Sequence, residues 1–114
     1  MGINAFTSLG KTVKLVADTT PPTPVQVPST TLGGNQYRVI NLSSTTACFL
    51  AFAQTAADAT ANCVVPTGAG ANSTAVLTLL PQTDEILSFV PNAYFTAITV
   101  SGTADLYICP GDGL

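Results

Sequence analysis

Phe95-Thr96-Ala97-Ile98-Thr99-Val100, Ser101-Gly102-Thr103 and Ala104-Asp105-Leu106-Tyr107-Ile108 form the stretch whose reading decides the fold. Both flanks are rich in β-branched and aromatic residues, which suit a pleated, half-buried surface. Their apolar and polar residues alternate, the period-2 pattern of a strand with one face on a core. A short Gly-containing turn separates them. The unit predicts two antiparallel strands joined as a hairpin.

Working outward, the same signal recurs. Gln36-Tyr37-Arg38-Val39-Ile40-Asn41 is bounded by Gly33-Gly34-Asn35 and Ser43-Ser44. Ala47-Cys48-Phe49-Leu50-Ala51-Phe52-Ala53 is an apolar run of strand length. Thr74-Ala75-Val76-Leu77-Thr78-Leu79-Leu80 stops at Pro81, and Glu85-Ile86-Leu87-Ser88-Phe89-Val90 stops at Pro91. Thr12 to Ala17 adds one more strand, and a weak one is expected near Val25 or Val64. Ala56 to Ala61 reads as a single helical turn, and Pro66 to Asn72 as the longest loop. Short strands punctuated by Gly, Pro and Asn predict an all-β fold. The expectation is an antiparallel β-sandwich of about eight short strands, jelly-roll-like.

The chain divides by character into 1–32 and 33–114 within a single domain. The first part holds one strand and then Pro21, Pro22, Pro24 and Pro28 within eight residues. Such spacing forbids a helix and favours an extended backbone, while proline is confined to edge strands. The segment reads as an extended arm that reaches a neighbouring subunit, or as a linker folded back on its own domain. The β-sandwich proper is placed in 33–114.

Composition excludes more than it identifies. Of 114 residues three are Lys or Arg, six are Asp or Glu, and none is His or Trp. With 46% hydrophobic residues and 8% charged, the chain has the apolar content of a folded domain and little charge for its surface. Lys11, Lys14 and Arg38 are too few for phosphate or anionic-membrane binding, so no nucleic-acid or membrane partner is expected. No targeting segment or 18-residue apolar span is visible. Cys48, Cys63 and Cys109 are unpaired in sequence and read as reduced, buried side chains.

Without His, the serine–histidine and cysteine–histidine catalytic systems are absent, and three isolated cysteines cannot complete a structural zinc site. Asp84 and Glu85 are adjacent, expected at a turn after Pro81 in place of a catalytic pair. Asn41-Leu42-Ser43 and Asn72-Ser73-Thr74 match a glycosylation sequon but read as turn residues. The chain is therefore expected not to be an enzyme, with no cofactor and no metal. A surface poor in charge would leave strand edges unguarded, which points to a face covered by partners. The residues expected at such an interface are Pro21, Pro22, Pro24, Val25, Val27, Tyr94 and Phe95.

The second part resembles small virion proteins of tailed bacteriophages. The resemblance runs through Gln36 to Asn41, Phe49-Leu50-Ala51-Phe52, and Leu80-Pro81 through Glu85-Ile86-Leu87-Ser88-Phe89 to Pro91-Asn92-Ala93-Tyr94-Phe95. It closes with Ser101-Gly102-Thr103-Ala104 and Pro110-Gly111-Asp112-Gly113, and covers about two-thirds of the chain. It implies a capsid decoration or cement protein, made in the host cytoplasm and bound to the outside of the head where capsomers meet. The implied partners are the major capsid protein and copies of the chain itself. A head-fibre base, neck or tail component is the second expectation, and a carbohydrate-binding β-sandwich the third.

Overall fold

The computed structural model describes residues 6–8, 10–28, 35–66 and 76–113. Among them are nine strands and one helix. The strands are β1 (Phe6–Ser8), β2 (Val13–Ala17), β3 (Val25–Gln26), β4 (Gln36–Asn41), β5 (Cys48–Ala53), β6 (Leu77–Leu79), β7 (Thr83–Ser88), β8 (Tyr94–Ile98) and β9 (Ala104–Gly113), with α1 (Ala56–Asn62) between β5 and β6. One sheet runs β7-β4-β9, with β1 and β2 both pairing along the far side of β9. The other runs β3-β8-β5-β6.

The order is that of a jelly roll. Antiparallel pairs β2–β9, β3–β8, β4–β7 and β5–β6 nest one inside the next. The chain is in effect one long hairpin, with α1 towards its tip, rolled into a two-sheet sandwich. Counting β1 and β2 as one broken strand gives four strands in each sheet and eight in all.

The deciding stretch does form two strands, but they are not a hairpin. β8 pairs with β3 and β5, whereas β9 pairs with β1, β2 and β4. Residues 99–103 are a corner at which the chain leaves one sheet for the other. Gly102 has φ +74°, which a side chain would strain. The Thr99 hydroxyl donates to the Gly102 carbonyl at 2.6 Å, and the Thr99 amide donates to Asp18 at 3.0 Å. Alternation alone cannot tell a hairpin from a sheet-switching corner, because both flanks present one face to the same core.

Burial follows the pleat. On β4, Tyr37, Val39 and Asn41 are buried, whereas Gln36, Arg38 and Ile40 point outward. Leu50, Phe95, Ala97 and Cys48 oppose them from the second sheet, with Leu106 and Ile108 from β9. Each fully buried Leu, Ile or Phe side chain contributes roughly 1.5–3 kcal/mol by leaving water. The buried Asn41 amide donates to the carbonyls of Thr46 at 3.0 Å and Leu79 at 3.3 Å. Its side-chain oxygen accepts from the Ser43 amide at 3.0 Å, a local turn of the kind expected from the sequon match. Asn72 lies outside the described residues, as does most of the Pro66 to Asn72 loop.

The division at residue 32 is not a division of the core. Leu15, Ala17 and Val27 pack in the same cluster as Tyr37, Leu50 and Phe95. β2 holds an edge of one sheet, and the two-residue β3 holds an edge of the other, where proline neighbours are tolerated. The Val27 amide donates to the Ala93 carbonyl at 3.0 Å, and the Thr96 hydroxyl donates to the Pro22 carbonyl at 2.8 Å. The proline segment therefore lies back on its own domain.

Two turns place a non-glycine residue in the left-handed region, Gln82 at φ 57° and Asn92 at φ 58°. Each follows a proline, the pattern of a type II turn. The turn after Pro81 is thus Pro81-Gln82, and Asp84 with Glu85 sits inside β7 rather than in the turn. Helix α1 runs beyond the single turn expected. Its start is capped by the Thr55 hydroxyl, which accepts from the Asp58 amide at 3.2 Å.

Candidate functional site

Two outer surfaces need an account. The first lies over the β3-β8-β5-β6 sheet, where α1 packs against β5 and β8. Ala59 of the helix and Ala51 and Thr96 of the sheet are fully buried there. Small side chains on both sides let the helix sit close. Beside it the proline segment makes a cleft of about 290 Å³, lined by Pro21, Pro22, Thr23, Pro24, Thr60 and Thr96.

The residues expected at an interface separate here. Pro21, Pro22 and Pro24 are half-buried walls of this cleft, and Tyr94 is half-buried at its end of β8. Val27 and Phe95 are fully buried, so they hold the sandwich together and cannot meet a partner. Val25 pairs with Phe95 and packs against the core. Proximity of Tyr94 and Phe95 in sequence concealed that adjacent strand residues point to opposite faces.

The second surface is the outer face of the five-stranded sheet, which the sequence reading did not single out. Cross-strand pairing puts Lys14, Tyr107, Ile40 and Asp84 in one row across β2, β9, β4 and β7. Val16 and Asp105 stand on one side of that row, Cys109, Arg38 and Ile86 on the other. Val16 is 42% exposed, Ile86 51% and the neighbouring Leu42 58%, large values for aliphatic side chains. The four charges are matched within the face. Arg38 binds Asp84 through Nε and Nη2, each 3.0 Å from Oδ2. Lys14 approaches Asp105 at 3.9 Å and lies 6.0 Å from the centre of the Tyr107 ring. These exposed pairs contribute at most about 1 kcal/mol each to stability. Their effect on the surface is larger, since they leave it close to neutral.

The strand edges are guarded after all, that of β2 by the exposed Lys14. β3 and β6 are two and three residues long, too short to template another strand. The longer edge β7 carries Asp84 outward, with the exposed Glu85 opposite Val39 on the inward side. An inward-facing charge on an edge strand blocks edge-to-edge pairing. What lacks cover is a face, not an edge.

Little chemistry converges anywhere. Among the described residues no three Cys, Asp or Glu side chains lie close enough to hold a metal ion. Asp84 and Glu85 point to opposite sides of β7, and Asp84 is engaged by Arg38. All three cysteines are free thiols. Burial pushes Cys48 up to about 11, with nearby Cys63 adding to the effect. Burial raises Cys63 as well, and the Thr96 side chain offsets part of that. Both are poor nucleophiles near neutral pH. Cys109 is half-exposed on the outer face, its Sγ 3.0 Å from the Ser8 hydroxyl. No described helix is long and apolar enough to cross a membrane.

No family model, curated protein or solved structure matches the chain.

Proposed function

We propose that the chain is a structural virion protein of a tailed bacteriophage, a capsid decoration or cement protein. On this reading it is made in the host cytoplasm, binds the outside of the head and stabilises the junctions between capsomers. Its partners are the major capsid protein and further copies of itself. It is not an enzyme and needs no cofactor.

The observation that carries this reading is the outer face of the five-stranded sheet. It is broad, it exposes Val16, Leu42 and Ile86 around a central Tyr107 and Ile40, and its charges are already paired. Covering such a face strands no lone charge away from water, a step that costs several kcal/mol per ion. Jelly rolls recur in viral capsids. Fold alone does not name a function, so the weight rests on the face and on the phage-like residue pattern of 33–114. Each contact can be weak, because many copies on one shell gain from effective concentration.

Co-sedimentation of the purified chain with expanded and precursor heads tests the reading. Binding to expanded heads alone is expected, since the bridged junctions exist only after expansion. Equal binding to both, or to neither, overturns it. Binding to isolated necks, tails or fibres in place of heads transfers the chain to another part of the virion.

A further inference from the structure

We infer that the outer face of the five-stranded sheet is a self-association surface, on which two copies pack about a two-fold axis. The axis runs parallel to the strands, between β9 and β4. The inference deepens the building-part reading by naming the surface of its self-contact. Its test needs no capsid, so its failure and the failure of shell binding are separate results.

The row Lys14-Tyr107-Ile40-Asp84 is complementary to its own reverse. A cation stands at one end, an anion at the other, and two large apolar side chains between. A two-fold axis along the strands reverses the row. Lys14 of each copy then faces Asp84 of the other, and Tyr107 of each faces Ile40 of the other. The charge contacts form twice and Tyr107 and Ile40 meet at the centre, as an isologous interface requires, while Arg38 and Asp105 on the same two strands keep their own-chain partners. An in-plane axis across the strands would set Lys14 over Lys14 and Asp84 over Asp84. Arg38 and Asp105 already sit against Asp84 and Lys14 within each chain, so charge favours this orientation over the other by a margin that those pairs reduce. The exposed Val16, Leu42 and Ile86 side chains flank the row and add apolar area.

Size sets the strength. Four strands about 4.8 Å apart, rising about 3.4 Å per residue, make a face of roughly 20 by 20 Å. That is about 400 Å² from each copy and about 800 Å² in all, below the roughly 1,000 Å² that a stable specific interface clears. The free pair is accordingly weak and concentration-dependent.

Charge-reversal mixing tests it by sedimentation velocity over a concentration series. Wild-type protein is expected to self-associate. Lys14→Asp alone and Asp84→Lys alone each place two like-charge contacts in the pair, and each should weaken association about tenfold. An equal mixture of the two variants restores opposite charges at both contacts, and should associate close to wild-type strength. Changes inside one chain, at Asp105 or Arg38, cannot produce a signal that depends on mixing. Ile40→Glu should abolish association alone and in every mixture. A monomeric wild type, single variants that associate like wild type, or a mixture no stronger than its components overturns the inference. Circular dichroism confirms that each variant keeps the β fold.

Discussion

Tyr37 on β4 and Phe95 on β8 meet edge to face across the sandwich, ring centroids 4.9 Å apart and planes at 65°. The contact joins the two sheets at the centre of the core, and Phe52 stands 5.8 Å from the same Phe95 ring. The Tyr37 hydroxyl then does a second task. It donates to the Val90 carbonyl at 2.6 Å and accepts from the Ala93 amide at 3.2 Å, fixing the turn that leads into β8.

Tyr37→Phe keeps the ring and removes both bonds. A loss of about 1–3 kcal/mol is expected, because the Ala93 amide is left buried without that partner. Phe95→Ala should cost more, about 3–5 kcal/mol, through the cavity it opens. Urea denaturation measures both. A Tyr37→Phe protein as stable as wild type would remove the hydroxyl from the account.

Gln82 occupies the left-handed region at φ 57° without the side chain that best tolerates it. Gln82→Asn should raise stability by about 0.5 kcal/mol, since Asn accepts that conformation more readily. The Gln82 amide bond to the Ser43 carbonyl, at 3.0 Å, involves the backbone and survives the change. A thermal midpoint that falls would contradict the assignment.

Cys48 gives stability an alkaline limit. Its thiol holds its proton up to about 11 in the folded chain, against an ordinary value of 9.0. Between those values the unfolded chain binds fewer protons, so stability falls as pH rises. Below pH 9.0 the thiol makes no pH-dependent contribution. The loss through pH 11 is on the order of 2 kcal/mol, and Cys63 acts in the same direction. Cys48→Ala should flatten the decline seen in denaturation series at successive pH values. An unchanged slope would rule the thiol out as its cause.

Removing 1–28 should abolish cooperative unfolding. The truncation takes β1, β2 and β3, and with them Leu15, Ala17 and Val27 from the core. Differential scanning calorimetry of the fragment 29–114 is the check. A sharp transition there would restore the view of the N-terminal part as a separable arm.

Strand positions were legible in the sequence, because alternation and punctuation are local. Gln36 to Asn41 was expected as a strand and forms β4 over the same residues. Pairing was not legible, because it is set by contacts distant in sequence. Residues 95–108 looked like a hairpin and are instead a corner between sheets. The proline segment read equally as an arm to a neighbour or as a linker folded back on its own domain, and only its pairing with β8 and the burial of its Val27 decide for the second. The outer face escaped notice for a related reason. Lys14, Tyr107, Ile40 and Asp84 come from four strands, and only register places them in one row. Tyr94 and Phe95 are neighbours in sequence, but strand geometry sends one outward and one into the core.

Cryo-electron microscopy of phage heads bearing an epitope-tagged copy of the chain tests the central claim most directly. The account predicts jelly-roll density on the outer shell at capsomer junctions, with the outer face of the five-stranded sheet covered by the shell or by a second copy. Heads whose outer surface carries no such density, or on which that face lies open to solvent, would contradict it.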